Sequence, residues 1–190
     1  MNTKSIMIVG VGGQGTLLAS KLLGAALVKK GYDVKVSEVH GMSQRGGSVV
    51  TYVKYGDKVY SPIIGKGEAD VILAFEQLEA ARWLEYMKPD GRVIVNTQTI
   101  DPMSVVTGST TYPEGVVEKI KATGAKVTDL DALKLAVEAG SVKAVNVVLI
   151  GVLAKSMELA KDEWHDVIKS TVPEKFYEMN IKAFDLGYSI

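Results

Sequence analysis

The feature that most constrains the fold is a glycine-rich turn between a short apolar run and a helical segment. Residues 5–9 form the apolar run, Gly10-Val-Gly-Gly-Gln-Gly15 follows, and a helical pattern then continues to about Lys30. An apolar run that meets glycines and then a helix is typical of the first strand, turn and helix of an α/β sheet. The sequence therefore predicts an α/β fold that starts at this turn.

Each glycine of the turn has a separate predicted role. Gly10 lets the chain leave the strand sharply, Gly12 lets another group approach the backbone, and Gly15 lets the helix pack closely on the strand. Free N–H groups at the start of the helix point outward, where the helix dipole favours an anion. The turn is expected to receive a phosphate or carboxylate, or to pack against another backbone. A purely structural tight turn is the remaining interpretation.

Two nucleotide-binding patterns are partly matched. Gly10, Gly15 and Thr16 have the spacing of a nucleoside-triphosphate loop, but the lysine that would stand between Gly15 and Thr16 is missing. Residues 33–38 are predicted to form the second strand. Glu38 therefore falls where a dinucleotide-binding fold places the acid that holds a ribose hydroxyl, although carboxylates are also common at strand ends.

A second glycine-rich segment follows that strand. Residues 39–47 contain three glycines together with His40, Ser43, Gln44 and Arg45. Open α/β sheets bind ligands beyond their strand ends, so this polar loop can fold over a ligand or dock a partner, while a solvated connector is the simpler alternative. Arg45 is suited to a phosphate, a carboxylate or an acidic group of a partner, because its guanidinium forms a planar fork. His40 has no identifiable catalytic partner and is expected to be structural.

Composition excludes several classes of protein. The 22 basic and 22 acidic residues balance, and no basic stripe with interleaved aromatic residues is present, so no nucleic acid or anionic membrane is expected as a partner. The chain has no cysteine, which excludes disulfides, thiolate-bound iron–sulfur clusters, cysteine–zinc sites and a cysteine nucleophile. The start of the chain is unlike a signal peptide, and residues 144–154 are too short to span a bilayer, so a cytoplasmic location is expected.

The remaining pattern alternates strands and helices. It predicts a Rossmann-like three-layer sandwich in a single domain of residues 1–190, with a mostly parallel sheet and an antiparallel hairpin extension. The hairpin is expected from residues 48–55 and 58–64, joined by Gly56-Asp57. Further strands are predicted at 70–75, 92–96 and 126–130, and further helices at 76–86, 115–123, 131–139, 144–157, 161–170 and 173–186.

Two polar segments within this pattern are further candidates. Residues 96–99, Asn-Thr-Gln-Thr, lie at a strand end and either line the cleft of the glycine turn or form a plain polar loop. Asn146 lies in the apolar helix 144–157, which must be buried on most sides. It is expected to bond a nearby backbone group rather than a ligand.

Three segments together resemble the gamma domain of the 2-oxoacid:ferredoxin oxidoreductases: Gly10-Val-Gly-Gly-Gln-Gly15, Glu38-Val-His-Gly-Met-Ser-Gln-Arg-Gly-Gly47 and Asn146-Val-Val-Leu-Ile-Gly151. The resemblance covers almost the whole chain, and the second segment is far more specific than the first. Within that family the chain is most similar to the small beta subunit of the indolepyruvate enzymes. The resemblance implies oxidative decarboxylation of a 2-oxoacid, here an arylpyruvate, to an acyl-coenzyme A, carbon dioxide and reduced ferredoxin.

The resemblance also implies a division of labour between subunits. In the family, thiamine diphosphate with Mg forms the carbanion, and 4Fe–4S clusters carry the electrons to ferredoxin. This chain has no cysteine for a cluster. It also lacks the Gly-Asp-Gly with paired asparagines of thiamine-binding sequences, of which Asp90-Gly91 is only a fragment. A larger alpha subunit is therefore expected to hold both cofactors, and this chain is expected to be inactive alone.

The expected role of this chain is to assemble the complex and to shape the acyl-acceptor side of its active site. Coenzyme A is the possible shared ligand, because its pyrophosphate suits the glycine turn and Arg45. The predicted cofactor-binding residues are Gly10, Gly12, Gly13, Gln14, Gly15, Glu38, His40, Ser43, Gln44 and Arg45, and no catalytic or metal-binding residue is predicted. The alternatives are a nicotinamide- or flavin-binding module, a non-catalytic docking protein, and the gamma subunit of a pyruvate, branched-chain or 2-oxoglutarate enzyme.

Overall fold

A computed structural model describes residues 3–38 and 46–190. These residues contain six strands: β1 (Lys4–Val11), β2 (Asp33–Glu38), β3 (Ser48–Gly56), β4 (Ala69–Ala74), β5 (Met87–Asn96) and β6 (Lys126–Leu130). The α-helices are α1 (Thr16–Lys29), α2 (Gln77–Arg82), α3 (Met103–Val106), α4 (Val116–Ala122), α5 (Ala132–Ala139), α6 (Val145–Ala154), α7 (Lys161–Thr171) and α8 (Tyr177–Tyr188).

All six strands form one sheet in the order β2-β3-β1-β4-β5-β6. The pairs β1–β4, β4–β5 and β5–β6 are parallel, whereas β3 runs antiparallel to both β1 and β2. Five of these strands therefore point the same way, and the predicted mostly parallel α/β sheet is confirmed. The insertion of β3 separates β2 from β1, so Glu38 at the end of β2 does not lie on the strand next to β1.

The prediction that residues 58–64 form the second arm of a hairpin is wrong, because this segment forms no strand. Both edges of β3 are already paired, one with β1 and the other with β2, so no edge is left for another strand. The segment packs instead through the buried side chains of Val59 and Ile64. The Val59 N–H donates to the Asp33 carboxylate at 2.8 Å, which ties the segment to the start of β2.

The helices form a layer on each side of the sheet. Alternate residues of β1 point to opposite faces: Ile6 and Ile8 belong to one buried cluster, and Met7 and Val9 belong to the other. The first cluster includes residues of α1, α5, α6, α7 and α8, and the second includes residues of α2 and α4. This alternation, with a period of two residues along the strand, gives the predicted three-layer sandwich.

Helix α6 is the buried centre of the first cluster. All ten of its residues are buried, which confirms the expectation from its apolar sequence. It lies very close to α8, because a Cβ on Gly151 would overlap the Phe184 carbonyl oxygen and a Cβ on Gly187 would overlap the Val148 carbonyl oxygen. The two glycines therefore let the helix backbones touch.

Several element boundaries differ from the predicted ones. The predicted helix 76–86 is divided into α2 and a 3₁₀ turn at Leu84–Tyr86, and the irregular segment 100–112 contains the short α3. Helix α8 is preceded by a 3₁₀ turn at Glu174–Phe176 rather than starting at Pro173. None of the helices in the described ranges has the length and apolar character needed to cross a membrane.

Candidate ligand-binding site

The glycine turn begins later than the sequence predicts. Strand β1 continues to Val11, and Gly10 pairs with Val49 of β3, so Gly10 is not the point at which the chain leaves the strand. The change of direction occurs at Gly13 and Gly15, whose φ angles are 101° and 81°. These left-handed conformations favour glycine, because a side chain at such a position is strained.

The turn leaves backbone N–H groups available to a ligand. The Gly12 N–H donates to the Gly47 carbonyl at 2.9 Å, and the Gln14 N–H donates to the Val11 carbonyl at 3.2 Å. In contrast, the N–H groups of Gly13, Gly15 and Thr16 find no acceptor among residues 3–38 and 46–190, and no side chain caps the start of α1. Three donors at the positive end of a helix form a favourable environment for an anion.

Gln14 crosses the crevice between β1 and β4. Its side-chain oxygen accepts from the Val11 N–H at 2.8 Å, and its side-chain nitrogen donates to the Phe75 carbonyl at 3.0 Å. This crevice is the topological switch point of the sheet, because α1 lies on one face and α2 on the other. The polar atoms of Gln14 are thus already bonded within the turn.

Gly15 contacts α6 rather than β1. A Cβ on Gly15 would lie 2.7 Å from the side-chain nitrogen of Asn146, which donates to the Gly15 carbonyl at 3.1 Å. Asn146 is buried, and its side-chain oxygen accepts from the Val147 N–H at 2.8 Å. The expectation that Asn146 bonds the backbone is therefore confirmed, and the residue links α6 to the glycine turn through the Gly15 carbonyl.

Two cavities flank the turn and share Gly13 and Gly15. The first has a volume of about 300 Å³ and is also lined by Glu38 and by residues 49–51 of β3. The second has a volume of about 670 Å³ and extends toward the start of α6. The lining of the second cavity includes Gln98, so that member of the polar segment 96–99 does lie beside the glycine turn.

Glu38 lies close to the turn without the geometry of a dinucleotide-binding acid. In the dinucleotide fold the second strand is next to the first, whereas here β3 lies between them and moves β2 about 10 Å from β1, two strand spacings. The Glu38 carboxylate accepts from the Ser20 hydroxyl of α1 at 2.6 Å. It can still bind a hydroxyl group of a ligand in the first cavity, but the strand order counts against a nicotinamide or flavin site.

The two glycine-rich segments are joined by backbone. The Gly12–Gly47 hydrogen bond links the end of the second segment to the first turn. The group that approaches the Gly12 backbone is therefore the backbone of Gly47, one of the two alternatives predicted for the turn. Four predicted site residues of the second segment, His40, Ser43, Gln44 and Arg45, lie outside the described residues.

A buried acidic pair, Glu76 and Glu79, lies beside Ser48, and the sequence did not predict it. The Ser48 hydroxyl donates to the Glu79 carboxylate, and the Tyr112 hydroxyl donates to the Glu76 carboxylate. Burial raises the pKa of Glu79, and the neighbouring Glu76 charge adds to this effect against the opposing contacts of Ser48 and Arg82. Burial and the bond to Glu76 likewise raise the pKa of Tyr112. The only signal in the sequence was two glutamates at a helix start, which is a common surface pattern.

The described residues form a mixed α/β domain whose glycine turn presents backbone N–H groups that have no acceptor among residues 3–38 and 46–190. The model of the pyruvate ferredoxin/flavodoxin oxidoreductase family matches residues 5–190, and the chain belongs to this family. It is 48% identical, over 98% of its length and 95% of the relative's, to the indolepyruvate oxidoreductase subunit IorB of Pyrococcus horikoshii. It is 28% identical, over 95% of its length and 92% of the relative's, to the common gamma subunit of the pyruvate/ketoisovalerate oxidoreductases of Thermococcus kodakarensis.

Solved structures have the same fold. The gamma subunit of a keto/oxoacid ferredoxin oxidoreductase from Geobacter sulfurreducens aligns with a TM-score of 0.72 at 23% identity, covering 98% of this chain and 96% of that one. A 2-oxoglutarate:ferredoxin oxidoreductase from Magnetococcus marinus, with 2-oxoglutarate, coenzyme A and succinyl-CoA bound, aligns with a TM-score of 0.77 at 20% identity. All of this chain matches 31% of that longer chain. The family match and the curated relatives identify the chain as a small subunit of a 2-oxoacid:ferredoxin oxidoreductase, and these solved structures share its fold.

Proposed function

We propose that this chain is the small subunit of an oxidoreductase that transfers electrons from indolepyruvate, or another arylpyruvate, to ferredoxin. The observation that carries the proposal is the 48% identity to an indolepyruvate oxidoreductase subunit over 98% of the chain. Identity to the gamma subunit of pyruvate/ketoisovalerate enzymes is lower, at 28%. The difference favours an aromatic 2-oxoacid over pyruvate, a branched-chain oxoacid or 2-oxoglutarate.

In this proposal the redox chemistry belongs to a larger partner subunit. The partner would hold thiamine diphosphate with Mg and the 4Fe–4S clusters, and ferredoxin would be reached through the complex. The composition supports this assignment, because a chain with no cysteine cannot supply thiolate ligands to iron. The chain would act in the cytoplasm as part of that complex.

The proposed contribution of this chain is the binding of coenzyme A, whose thiol accepts the acyl group of the reaction. The N–H groups of Gly13, Gly15 and Thr16, which have no acceptor in the described part of the chain, fit a pyrophosphate, and the flanking cavities leave room for it. We assign Glu38 to a hydroxyl of the ligand and Arg45 to a second phosphate, and we assign His40, Ser43 and Gln44, of the same glycine-rich sequence, to further contacts with the ligand. Gly10, Gly12 and Gln14 would shape the turn.

The first test is capture of the tagged chain from its native anaerobic lysate, with identification of the captured partner and an indolepyruvate-dependent dye-reduction assay. We expect a large, cysteine-rich, thiamine-binding partner, with activity that requires both subunits. Full activity of the partner without this chain would contradict the proposal in favour of a docking role. A substrate panel with pyruvate, branched-chain 2-oxoacids and 2-oxoglutarate then tests the choice of oxoacid.

A second test addresses the ligand. Arg45→Ala in the reconstituted complex is expected to raise the KM for coenzyme A or to weaken assembly, whereas Arg92→Ala is the matched control, since Arg92 lies on β5 and lines neither cavity. An unchanged KM and an unchanged assembly state in Arg45→Ala would remove Arg45 from the site. If the isolated chain bound a nicotinamide or flavin dinucleotide instead, Glu38 would be the residue to mutate.

A further inference from the structure

We infer that Gln14 is a positioning residue that holds the first glycine turn in its anion-accepting shape and in register with the second glycine-rich segment. This inference rests on the proposed function for its effect on coenzyme A, but its structural part is independent of any ligand. Gln14 was predicted to contact the cofactor directly. Its bonds indicate that it acts through the backbone of the turn instead.

The side chain of Gln14 closes the turn from within. It joins the Val11 N–H at the end of β1 to the Phe75 carbonyl just after β4, so one amide group bridges two strands. Gly10 makes this possible, because a Cβ on Gly10 would lie 2.9 Å from the Gln14 side-chain oxygen and 2.9 Å from the Phe75 Cβ. Gly10 therefore has a different purpose from the predicted one: it leaves the space that the Gln14 amide fills.

The carbonyl that Gln14 binds is itself held in place. The side-chain nitrogen of Asn96 donates to the same Phe75 oxygen at 3.0 Å, and its side-chain oxygen accepts from the Ala132 N–H at the start of α5 at 3.1 Å. Asn96 has no exposed surface. A fully buried amide with both ends bonded gives a rigid reference point, so Gln14 fastens the turn to the centre of the sheet rather than to a mobile loop.

The other side of the turn meets the second segment. Gly12 lies between Val11, which Gln14 holds, and Gly13, whose N–H is available to an anion, and its own N–H binds the Gly47 carbonyl. If Gln14 sets the path of the turn, then its removal must weaken the Gly12–Gly47 bond as well, although the two side-chain bonds of Gln14 go to Val11 and Phe75. A side chain with only a local role would leave the Gly12–Gly47 bond unchanged.

The test is Gln14→Met, which keeps the length of the side chain and removes its hydrogen bonds. Gln77→Met is the matched control, because Gln77 is the first residue of α2, donates to the Thr97 carbonyl at 3.3 Å and lines neither cavity. Amide hydrogen exchange of Val11 and Gly12 is measured by NMR on the full chain. KM and kcat for coenzyme A, and KM for the 2-oxoacid, are measured on the reconstituted complex.

We expect Gln14→Met to speed exchange at both Val11 and Gly12 by about fivefold or more, the effect of losing one typical hydrogen bond. The KM for coenzyme A should rise by a similar factor with kcat and the 2-oxoacid KM unchanged, and Gln77→Met should alter none of these values. Faster exchange at Val11 alone, or at neither residue, would overturn the inference. Faster exchange at both with an unchanged coenzyme A KM would support the positioning role and would place the failure in the proposed coenzyme A site.

Discussion

The contact between α6 and α8 gives a sharp prediction, because it depends on the absence of two Cβ atoms. In Gly151→Ala the new methyl group would overlap the Phe184 carbonyl oxygen and lie 2.8 Å from the Tyr188 nitrogen. Ordinary van der Waals contact begins at 3.4 Å. These atoms belong to the backbone of a helix, so they cannot rotate away, and α8 must move as a unit by more than half an ångström.

The expected cost follows from two opposing effects. Overpacking of a core costs up to about 3 kcal/mol, and a rigid backbone contact favours the upper end of the range. Replacing glycine by alanine inside a helix raises the free energy of unfolding by about 1 kcal/mol, because alanine has the higher helix propensity. We therefore expect Gly151→Ala to lower the free energy of unfolding by about 2 kcal/mol, which corresponds to a decrease in Tm of roughly 4–8 °C for a chain of this size.

The matched control is Gly24→Ala in α1. There the nearest atom to the new methyl group is Cγ2 of Val36 at 3.9 Å, an ordinary contact, so only the gain in helix propensity remains. We expect Gly24→Ala to raise the stability by up to about 1 kcal/mol. The same substitution should thus have opposite signs in the two helices.

The assay is urea and thermal unfolding of the purified full chain, followed by far-UV circular dichroism at one protein concentration. An unchanged urea m-value would show that both variants unfold from an equally compact native state. A Gly151→Ala variant as stable as the wild type would refute the reasoning, because it would show that α8 can move away from α6 with no decrease in the free energy of unfolding. Equal destabilisation in Gly24→Ala would show that steric overlap is not the cause.

Three further predictions concern buried or capping groups. Burial raises the pKa of Tyr55 to about 12 from 10.0, so the folded state holds the phenol proton more tightly than the unfolded chain. This stabilisation is complete below pH 10 and is lost as the pH rises toward 12. Tyr55→Phe has no phenol proton to lose, so its urea midpoint should fall less between pH 9 and pH 11 than the wild-type midpoint does. Asp131 caps α5 by accepting from the Lys134 N–H at 2.9 Å, so Asp131→Ala should cost about 1 kcal/mol in urea unfolding, and Asp131→Asn should restore most of it. Asn146→Ala removes the bond to the Gly15 carbonyl and should also cost about 1 kcal/mol, with faster amide exchange in the first turn of α1; unchanged exchange there would show that Asn146 does not support the glycine turn.

The site could be predicted only in part. The glycine turn, its position between a strand and a helix, and the role of Asn146 are local or depend on burial, so residue pattern was sufficient to predict them. The end of β2 at Glu38 was predicted correctly, but the position of Glu38 relative to β1 was not, because β3 lies between the two strands. The bond from Gln14 to the Phe75 carbonyl was not predictable, because the two residues are 61 positions apart in the chain. The contacts of Ser48 with Glu79 and of Tyr112 with Glu76 were not predictable for the same reason, with separations of 31 and 36 positions.

The fold, like the site, has features that the sequence predicted and features that it did not. Alternation of apolar residues predicted β2 and β3, and apolar residues on one face predicted α1, because both patterns reflect which side of an element is buried. Continuous apolar runs predicted β1 and α6, which are buried on most sides. The position of β3 between β1 and β2 was not predictable, since backbone pairing carries no side-chain code that distinguishes one neighbouring strand from another. That single insertion explains both the missing hairpin arm at 58–64 and the displacement of Glu38 from the dinucleotide-binding position.

The sequence by itself determined the α/β class, the position of the glycine turn between a strand and a helix, and membership of an oxidoreductase family. The absence of cysteine also means that this sequence offers no thiolate ligand for an iron–sulfur cluster. These conclusions depend on residue type and local order. Only the tertiary structure decided what each glycine of the turn contacts: Gly10 makes room for the Gln14 amide, Gly12 bonds Gly47, and Gly15 packs against Asn146. Those roles depend on which distant segments the sheet brings together, and a distance in space cannot be read from a distance along the chain.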